Sequence, residues 1–566
     1  MSPFCWYFLV AFNLAFSKTI SILFFPFSFV HLHSHRYRHG MWILIYLFII
    51  WSSLRTWVTA VDSTTTVGDD LNETVSASVW PTMSPQMTVA FRSQRDVMGN
   101  LTIDQLPYVG LNLRRVLLNN ETSMVNERNN TRLLTLFKSM LSSEANAFVL
   151  DLEQYNNDLR VVDTTLLFSD VLIALESFIF STQNNLYANI IVLLLNISAP
   201  ELDSTEYRHQ NQTLNTTYIL DKNLGNSFIY KPTDLQSDRA KNNTWNIYGK
   251  SSIDGWPTLG SVLYEQKKRL VIGELTDFFN ETTAPYIFPH DVFHYEQGNS
   301  TLDCPSTVEG LTDLSSIHWR FLDSLFNSVD IKEYISCGLS PIISNSAYVN
   351  NVTQLADIIH EGSVWSWDSD QPSVTQSTSK SGSSSGTLEA YNCVLLYYFA
   401  NNETVTWRVG NCYNSNIGLC RYENMAFRWL VRSNKATYFD FDSYQGSKCP
   451  DQYSFNIPRS PLEQRSFIAY MRNSSFSDTQ IWIDLNSISV SNCWVSGGPY
   501  ASCPYEKVIS RRNFVTMMVP ASVCSFALLC IVVYLSVLRV PIYDNRKNWR
   551  RVINKISKSE LEGVPS

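Results

Sequence analysis

The chain has 566 residues, 45 % of them hydrophobic, and a formal net charge of −8. That length can bury one large core and a second, smaller one. The acidic balance argues against direct nucleic-acid binding.

The first sixty residues hold two apolar runs, 4–30 and 41–51, around a basic, His-rich stretch at 31–39. The second run has the length of a signal-peptide core and is too short to span a bilayer. Val58-Thr59-Ala60 follows it at the usual cleavage spacing, so residues 1–60 read as an N-terminal extension and signal peptide. The alternative is that 4–30 is itself a membrane anchor.

Residues 61–372 alternate strand-like apolar runs with helical patterns, which predicts β/α units and a parallel sheet. The strand candidates are 113–118, 147–151, 189–195 and 269–273, with helices over 169–181 and 259–268. The polar stretch 198–255 reads as a long decorated excursion. Residues 373–387 are Ser-rich and cannot bury enough apolar surface to order, so they read as a linker.

Residues 388–512 are rich in Trp and Tyr in short alternating runs and predict a β-rich domain. Eight cysteines lie between the leader and the last apolar run: Cys304, Cys337, Cys393, Cys412, Cys420, Cys449, Cys493 and Cys503. No Cys-x-x-Cys spacing suggests zinc, so disulfides are predicted, pairing internally on each side of the linker; no metal and no cofactor is predicted. The tryptophans and tyrosines here read as core and sheet-face residues rather than a sugar platform.

Residues 513–538 form an apolar run long enough to cross a bilayer, followed by a basic tail over 539–566. A basic flank belongs on the cytosolic side, so one transmembrane helix in type I orientation is expected. The tail's cations could also touch anionic lipid headgroups.

Thirteen Asn-x-Ser/Thr triplets lie between these ends, at Asn72, Asn100, Asn120, Asn129, Asn196, Asn211, Asn215, Asn242, Asn280, Asn299, Asn351, Asn402 and Asn473. Their density favours a glycosylated protein of the secretory pathway, resident in the endoplasmic reticulum, the vacuole or the cell surface.

The stretch 102–114, the later Asp151-Leu-Glu153, and Trp256-Pro-Thr-Leu-Gly260 followed by 267–272 resemble the phosphatidylinositol-phospholipase-C-like phosphodiesterases. That resemblance implies a TIM-type barrel. With the leader, the sequons, the cysteine-rich half and the late span, the whole chain resembles the fungal maintenance of telomere capping protein 6 family. The family resemblance implies a type I membrane glycoprotein linked indirectly to telomere capping, with no established biochemical activity.

Phospholipases of that fold are expected to use two histidines as general base and acid. Residues 90–100, where the first is expected, contain none, and the arginines there stay protonated and cannot act as bases. The expected function is therefore non-catalytic: a single-pass membrane protein carrying N-linked glycans and binding an unidentified luminal ligand or protein partner. The alternative is an active phosphodiesterase or glycan-processing enzyme that has rebuilt its site from His290, His294, Asp151 and Glu153.

Overall fold

The computed structural model describes residues 80–118, 127–155, 158–198, 216–279, 284–298, 304–345, 352–373, 390–423, 425–441, 448–505, 511–539 and 545–561. The predicted leader, the Ser-rich linker and the sequons at Asn72, Asn120, Asn211, Asn215, Asn280, Asn299 and Asn351 lie outside them. The described residues belong to one compact unit, 77–566.

Nine strands form the first sheet: β1 Gly110–Asn112, β2 Ala147–Tyr155, β3 Asp158–Val161, β4 Ile191–Ser198, β5 Ile229–Tyr230, β6 Leu270–Glu274, β7 His294–Gln297, β8 Arg320–Ser324 and β9 Ser340–Ile343. Their order is β5-β6-β4-β2-β1-β9-β8-β7, and every pairing along it is parallel, with β3 added antiparallel to β2. Residues 147–150 of β2, 191–195 of β4 and 270–272 of β6 read as unbroken apolar runs because both faces are buried there.

The predicted TIM-type barrel is found as a partial, curled one. A closed barrel would join β6 to β7 by a helix and a ladder; here the described residues 275–279 and 284–289 hold neither helix nor strand, and among the described residues one parallel bridge, Gly273 to Phe288, reaches from β6. The amino-terminal half of the interior is filled by aromatic rings. Trp319 stacks on Tyr108 at 5.5 Å between ring centres and meets Trp256 at 5.2 Å and Phe293 at 5.4 Å. The carboxyl ends of the strands lie on the far side of this plug.

Residues 113–118, read as a strand, are instead the helix Leu113–Leu118. The strand lies just upstream, and Asn112 turns the chain by accepting a hydrogen bond from the Arg115 amide at 3.2 Å. A side-chain acceptor at the first position of a helix favours that turn. Helix Phe168–Ser181 and strands β2, β4 and β6 lie where the apolar pattern placed them. The described part of the decorated excursion holds two helices, Thr216–Asn223 and Pro232–Ala240, and the edge strand β5.

The second sheet has six strands: β10 Cys393–Phe399, β11 Thr404–Gly410, β12 Ile417–Tyr422, β13 Trp429–Val431, β14 Tyr453–Phe455 and β15 Thr479–Asn486. Their order is β11-β10-β15-β12-β13, with β14 on β12. Helix Pro461–Asn473 covers it, capped by Ser460, whose hydroxyl accepts from the Glu463 amide. The eight predicted cysteines pair as Cys304–Cys337, Cys393–Cys412, Cys420–Cys449 and Cys493–Cys503. Trp407, Trp429, Trp482, Trp494 and Tyr398 are buried, as core residues should be.

The two sheets share one hydrophobic core. Trp407 of β11 packs against Trp365 and Trp367 from the segment that leaves the barrel, with ring centres 5.6 and 5.8 Å apart. The predicted span 513–538 falls in the helix Arg511–Arg539, whose described side chains from Ser522 to Ser536 are exposed throughout. Among the described residues, no helix is long and apolar enough to cross a membrane.

Candidate functional site

The carboxyl ends of parallel barrel strands are where loops and strand termini converge, and in barrels of this kind that face carries function. Here polar residues lie on or just after the strands: Asn112 on β1, Asp151 on β2, Asn196 on β4, Glu274 on β6, Tyr295 on β7, Asp323 on β8 and Ser344 just after β9. Register brings them into one ring, since Asp151 pairs with Asn196, and Leu195 with Glu274.

Asp323 is the centre of one half of the ring and is fully buried. It accepts from Asn112 Nδ2 at 3.1 Å, Arg115 Nη1 at 3.2 Å and the Tyr295 hydroxyl at 2.5 Å, and from the Ser344 hydroxyl. A carboxylate offers about four acceptor sites, so none is left for a substrate proton. Burial, then the charge of Asp323, push the Tyr295 hydroxyl far above its ordinary pKa and keep it a donor.

In the other half, Asn196 Nδ2 donates to Asp151 Oδ1 at 2.5 Å, and Arg160 donates to Glu153 Oε1 from Nε at 3.0 Å. The guanidinium of Arg160 also lies 4.5 Å from the Tyr155 ring centre. Glu274 is buried and accepts from the Phe279 amide at 3.0 Å; burial raises its carboxyl above the usual range, against the pull of the nearby backbone N–H groups.

His290 reaches this face from the turn His290–Val292, and its ring lies with Glu274 and Asp277 so that one donor atom from each falls within 4.8 Å of the others. Two carboxylates and an imidazole are a donor set a divalent cation could use; Asp277 and His290 are exposed. His294 lies on β7 and bonds Glu296 at 3.0 Å, so the two predicted histidines occupy different elements with different partners. His318 sits at the amino-terminal end of the barrel, 2.5 Å from Asp104.

Of the predicted residues, Asp151, Glu153 and His290 therefore stand at the strand-end face. Asn112, Glu274, Asp277, Tyr295 and Asp323 were not anticipated. Their signal was a polar residue ending or following an apolar run, visible in Leu270-Val-Ile-Gly-Glu274 and Arg320-Phe-Leu-Asp323. Among the described sequons, Asn100, Asn242, Asn402 and Asn473 are exposed, whereas Asn196 spends its amide on Asp151 inside the ring.

Fold and site together define a partial α/β barrel with an acidic polar mouth, sharing its core with a disulfide-bonded β-sheet. A family model described as the MTC6 partial TIM-barrel domain matches residues 81–365. "Maintenance of telomere capping protein 6" of Saccharomyces cerevisiae (strain ATCC 204508 / S288c) is 99 % identical over 93 % of this chain and 100 % of its own length. The proteins of the same name from Vanderwaltozyma polyspora and Kluyveromyces lactis are 42 % and 37 % identical, over 86 % and 88 % of this chain and 95 % and 98 % of theirs. The chain belongs to the maintenance of telomere capping protein 6 family.

Among solved structures, PLC21 of L. pealei matches with a TM-score of 0.29 at 10 % identity, over 58 % of this chain and 43 % of that one. A phosphatidylinositol-specific phospholipase C from Staphylococcus aureus matches with a TM-score of 0.26, also at 10 % identity, over 48 % and 98 %.

Proposed function

We propose that the chain is a membrane-tethered, glycosylated binding protein whose barrel mouth takes an uncharged polar or cationic ligand and does not cleave phosphodiesters. The observation that carries this is the charge state of the strand-end ring. Asp151, Glu153, Glu274, Asp277 and Asp323 face it, while among the described residues the two guanidiniums ion-paired with these carboxylates are already committed, Arg115 to Asp323 and Arg160 to Glu153. A phosphodiester substrate needs free cationic donors and two groups that exchange protons near neutral pH. Here the acidic wall repels phosphate, and three of the five carboxylates already accept from neighbouring side chains.

Tethering is supported by the uncharged sequence of 513–538 and by the basic flank behind it. Export is supported by four disulfides and by exposed sequons. In that topology the barrel is separated from chromosome ends by a membrane, so a contribution to telomere capping, as the relatives' name suggests, is indirect. The second reading, a hydrolytic enzyme, is favoured by one feature: His290 beside Glu274 and Asp277 could move a proton or hold a cation.

The test is turnover by the purified full chain against phosphoinositides, glycosylphosphatidylinositols and glycerophosphodiesters, with and without divalent cations, and with His290→Ala as control. No turnover, with saturable binding on a glycan array, is expected. Turnover abolished by His290→Ala selects the enzyme. An unchanged electrophoretic mobility after endoglycosidase treatment would refute the exported topology.

A further inference from the structure

The last described element is the helix Asn545–Leu561, 17 residues long. At 100° per residue, Trp549, Val552, Ile553 and Ile556 fall in one narrow stripe, at the i, i+3, i+4, i+7 spacing of an apolar helix face. All four are exposed, between 47 % and 62 %, and none joins a hydrophobic cluster of the described residues. Arg551, Lys555 and Lys558 project to the opposite side, and Arg550 flanks the stripe; all four are exposed. The sequence of the helix holds six Lys or Arg and one acidic residue, Glu560.

We infer that this helix lies in the plane of an anionic membrane surface, with the Trp549–Ile556 stripe sunk among the acyl chains and the basic residues against acidic headgroups. A narrow apolar face with Trp, backed by cations, is the pattern of an interfacial helix, and its long basic side chains can reach back to the headgroups. Charge complementarity selects lipids bearing net negative charge. Nucleic acid would satisfy the cations but leave four large apolar side chains in water.

The length of chain before it points the same way. Five residues separate the helix from Arg511–Arg539, which holds its start within about 20 Å of that helix's end. The inference rests on the tethered reading for which leaflet is met, not for the attraction itself.

The test uses the full chain reconstituted in vesicles, with Cys5→Ser, Cys524→Ser and Cys530→Ser removing cysteines outside the disulfides, and single fluorophores placed through Ile553→Cys, Lys558→Cys or Val532→Cys. Brominated acyl chains quench a buried label. In phosphatidylcholine vesicles containing about a third phosphatidylserine, the label at Ile553→Cys is expected to be quenched about threefold more than that at Lys558→Cys. Pure phosphatidylcholine should abolish the difference. Arg550→Gln, Arg551→Gln and Lys555→Gln together should lower the ratio of surface-bound to free helix about a hundredfold. Equal quenching at the two tail positions, indifference to phosphatidylserine, or a response to added duplex DNA in place of lipid would overturn the inference. The label at Val532→Cys separates the two readings: quenched there but not at Ile553→Cys, the tether stands and the interfacial helix falls.

Discussion

At the scale of single residues, Asp484 of β15 shows how a buried carboxyl becomes pH-dependent stability. Its oxygens accept from the Gly497 and Gly498 amides, each at 2.8 Å. Both glycines hold positive φ, 114° and 84°, a backbone few side chains tolerate, so the turn exists to aim two N–H groups at one carboxylate. Burial nevertheless dominates and pushes the carboxyl up to about 6. A raised folded-state value means the native protein holds a proton that the unfolded chain has already released, so this group's contribution falls as pH rises from about 4 to about 6. The expected loss is about 3 kcal/mol at about 1.4 kcal/mol per tenfold. Glu463 has the opposite sign: burial raises it, but Arg459 and Arg421 together bring it below the usual range, so its stabilisation disappears in acid. The informative measurement is therefore the difference between the wild type and Asp484→Asn in melting temperature across pH 4 to 6.5. The wild type should lose stability relative to the variant over that window; parallel curves would refute the assignment.

At the scale of elements, β6 depends on a missing side chain. A Cβ at Gly273 would overlap the ring of Phe293, which closes the irregular gap between β6 and β7. Gly273→Ala should cost about 1–3 kcal/mol, as overpacking of a filled core does. In a denaturation series, Phe293→Ala should relieve it, so that the double variant is no less stable than Phe293→Ala alone; additive losses would count against the overlap. The elements also show which local signals were readable. Strands β2, β4 and β6 open on unbroken apolar runs and announce themselves. The run 113–118 is broken by Arg114 and Arg115, six residues cannot separate strand from helix periods, and the deciding hydrogen bond comes from Asn112, outside the run. Strand β7, His294-Tyr-Glu-Gln297, is short, polar and paired on one side, so its pattern carries no burial signal. The site was legible in part for the same reason. Asp151, Glu153 and His290 could be marked as reactive types. Asp323 owes its importance to four donors, from β1, the helix after it, β7 and the end of β9, and two of them, Asn112 and Arg115, lie 211 and 208 residues away in the chain.

At the scale of the whole molecule, barrel and β-sheet are expected to unfold as one body because the seam between them is built from both. Gln94 donates to the Ser363 carbonyl at 3.0 Å and accepts from the Ser366 amide at 3.0 Å, fixing the segment that leaves the barrel. That segment then exchanges backbone hydrogen bonds with Trp407 of β11: the Trp407 amide donates to Ser366 at 2.8 Å, and Asp368 donates back to Trp407 at 3.1 Å. The indole of Trp407 fills the space between Trp365 and Trp367, while Trp494 meets Trp367 at 5.4 Å from the far side. Removing the Trp407 ring should cost about 3–5 kcal/mol, and the loss falls on contacts shared by both sheets. Calorimetry of the wild type should show one transition for the barrel and β-sheet, with Trp407→Ala splitting it into two. Trp482→Ala serves as the contrast, because that ring packs against Tyr438 within the second sheet and its loss weakens the sheet without opening the seam. One transition in Trp482→Ala beside two in Trp407→Ala would locate the coupling at the tryptophan seam. A single transition in both would mean that the shared core binds the sheets by area alone.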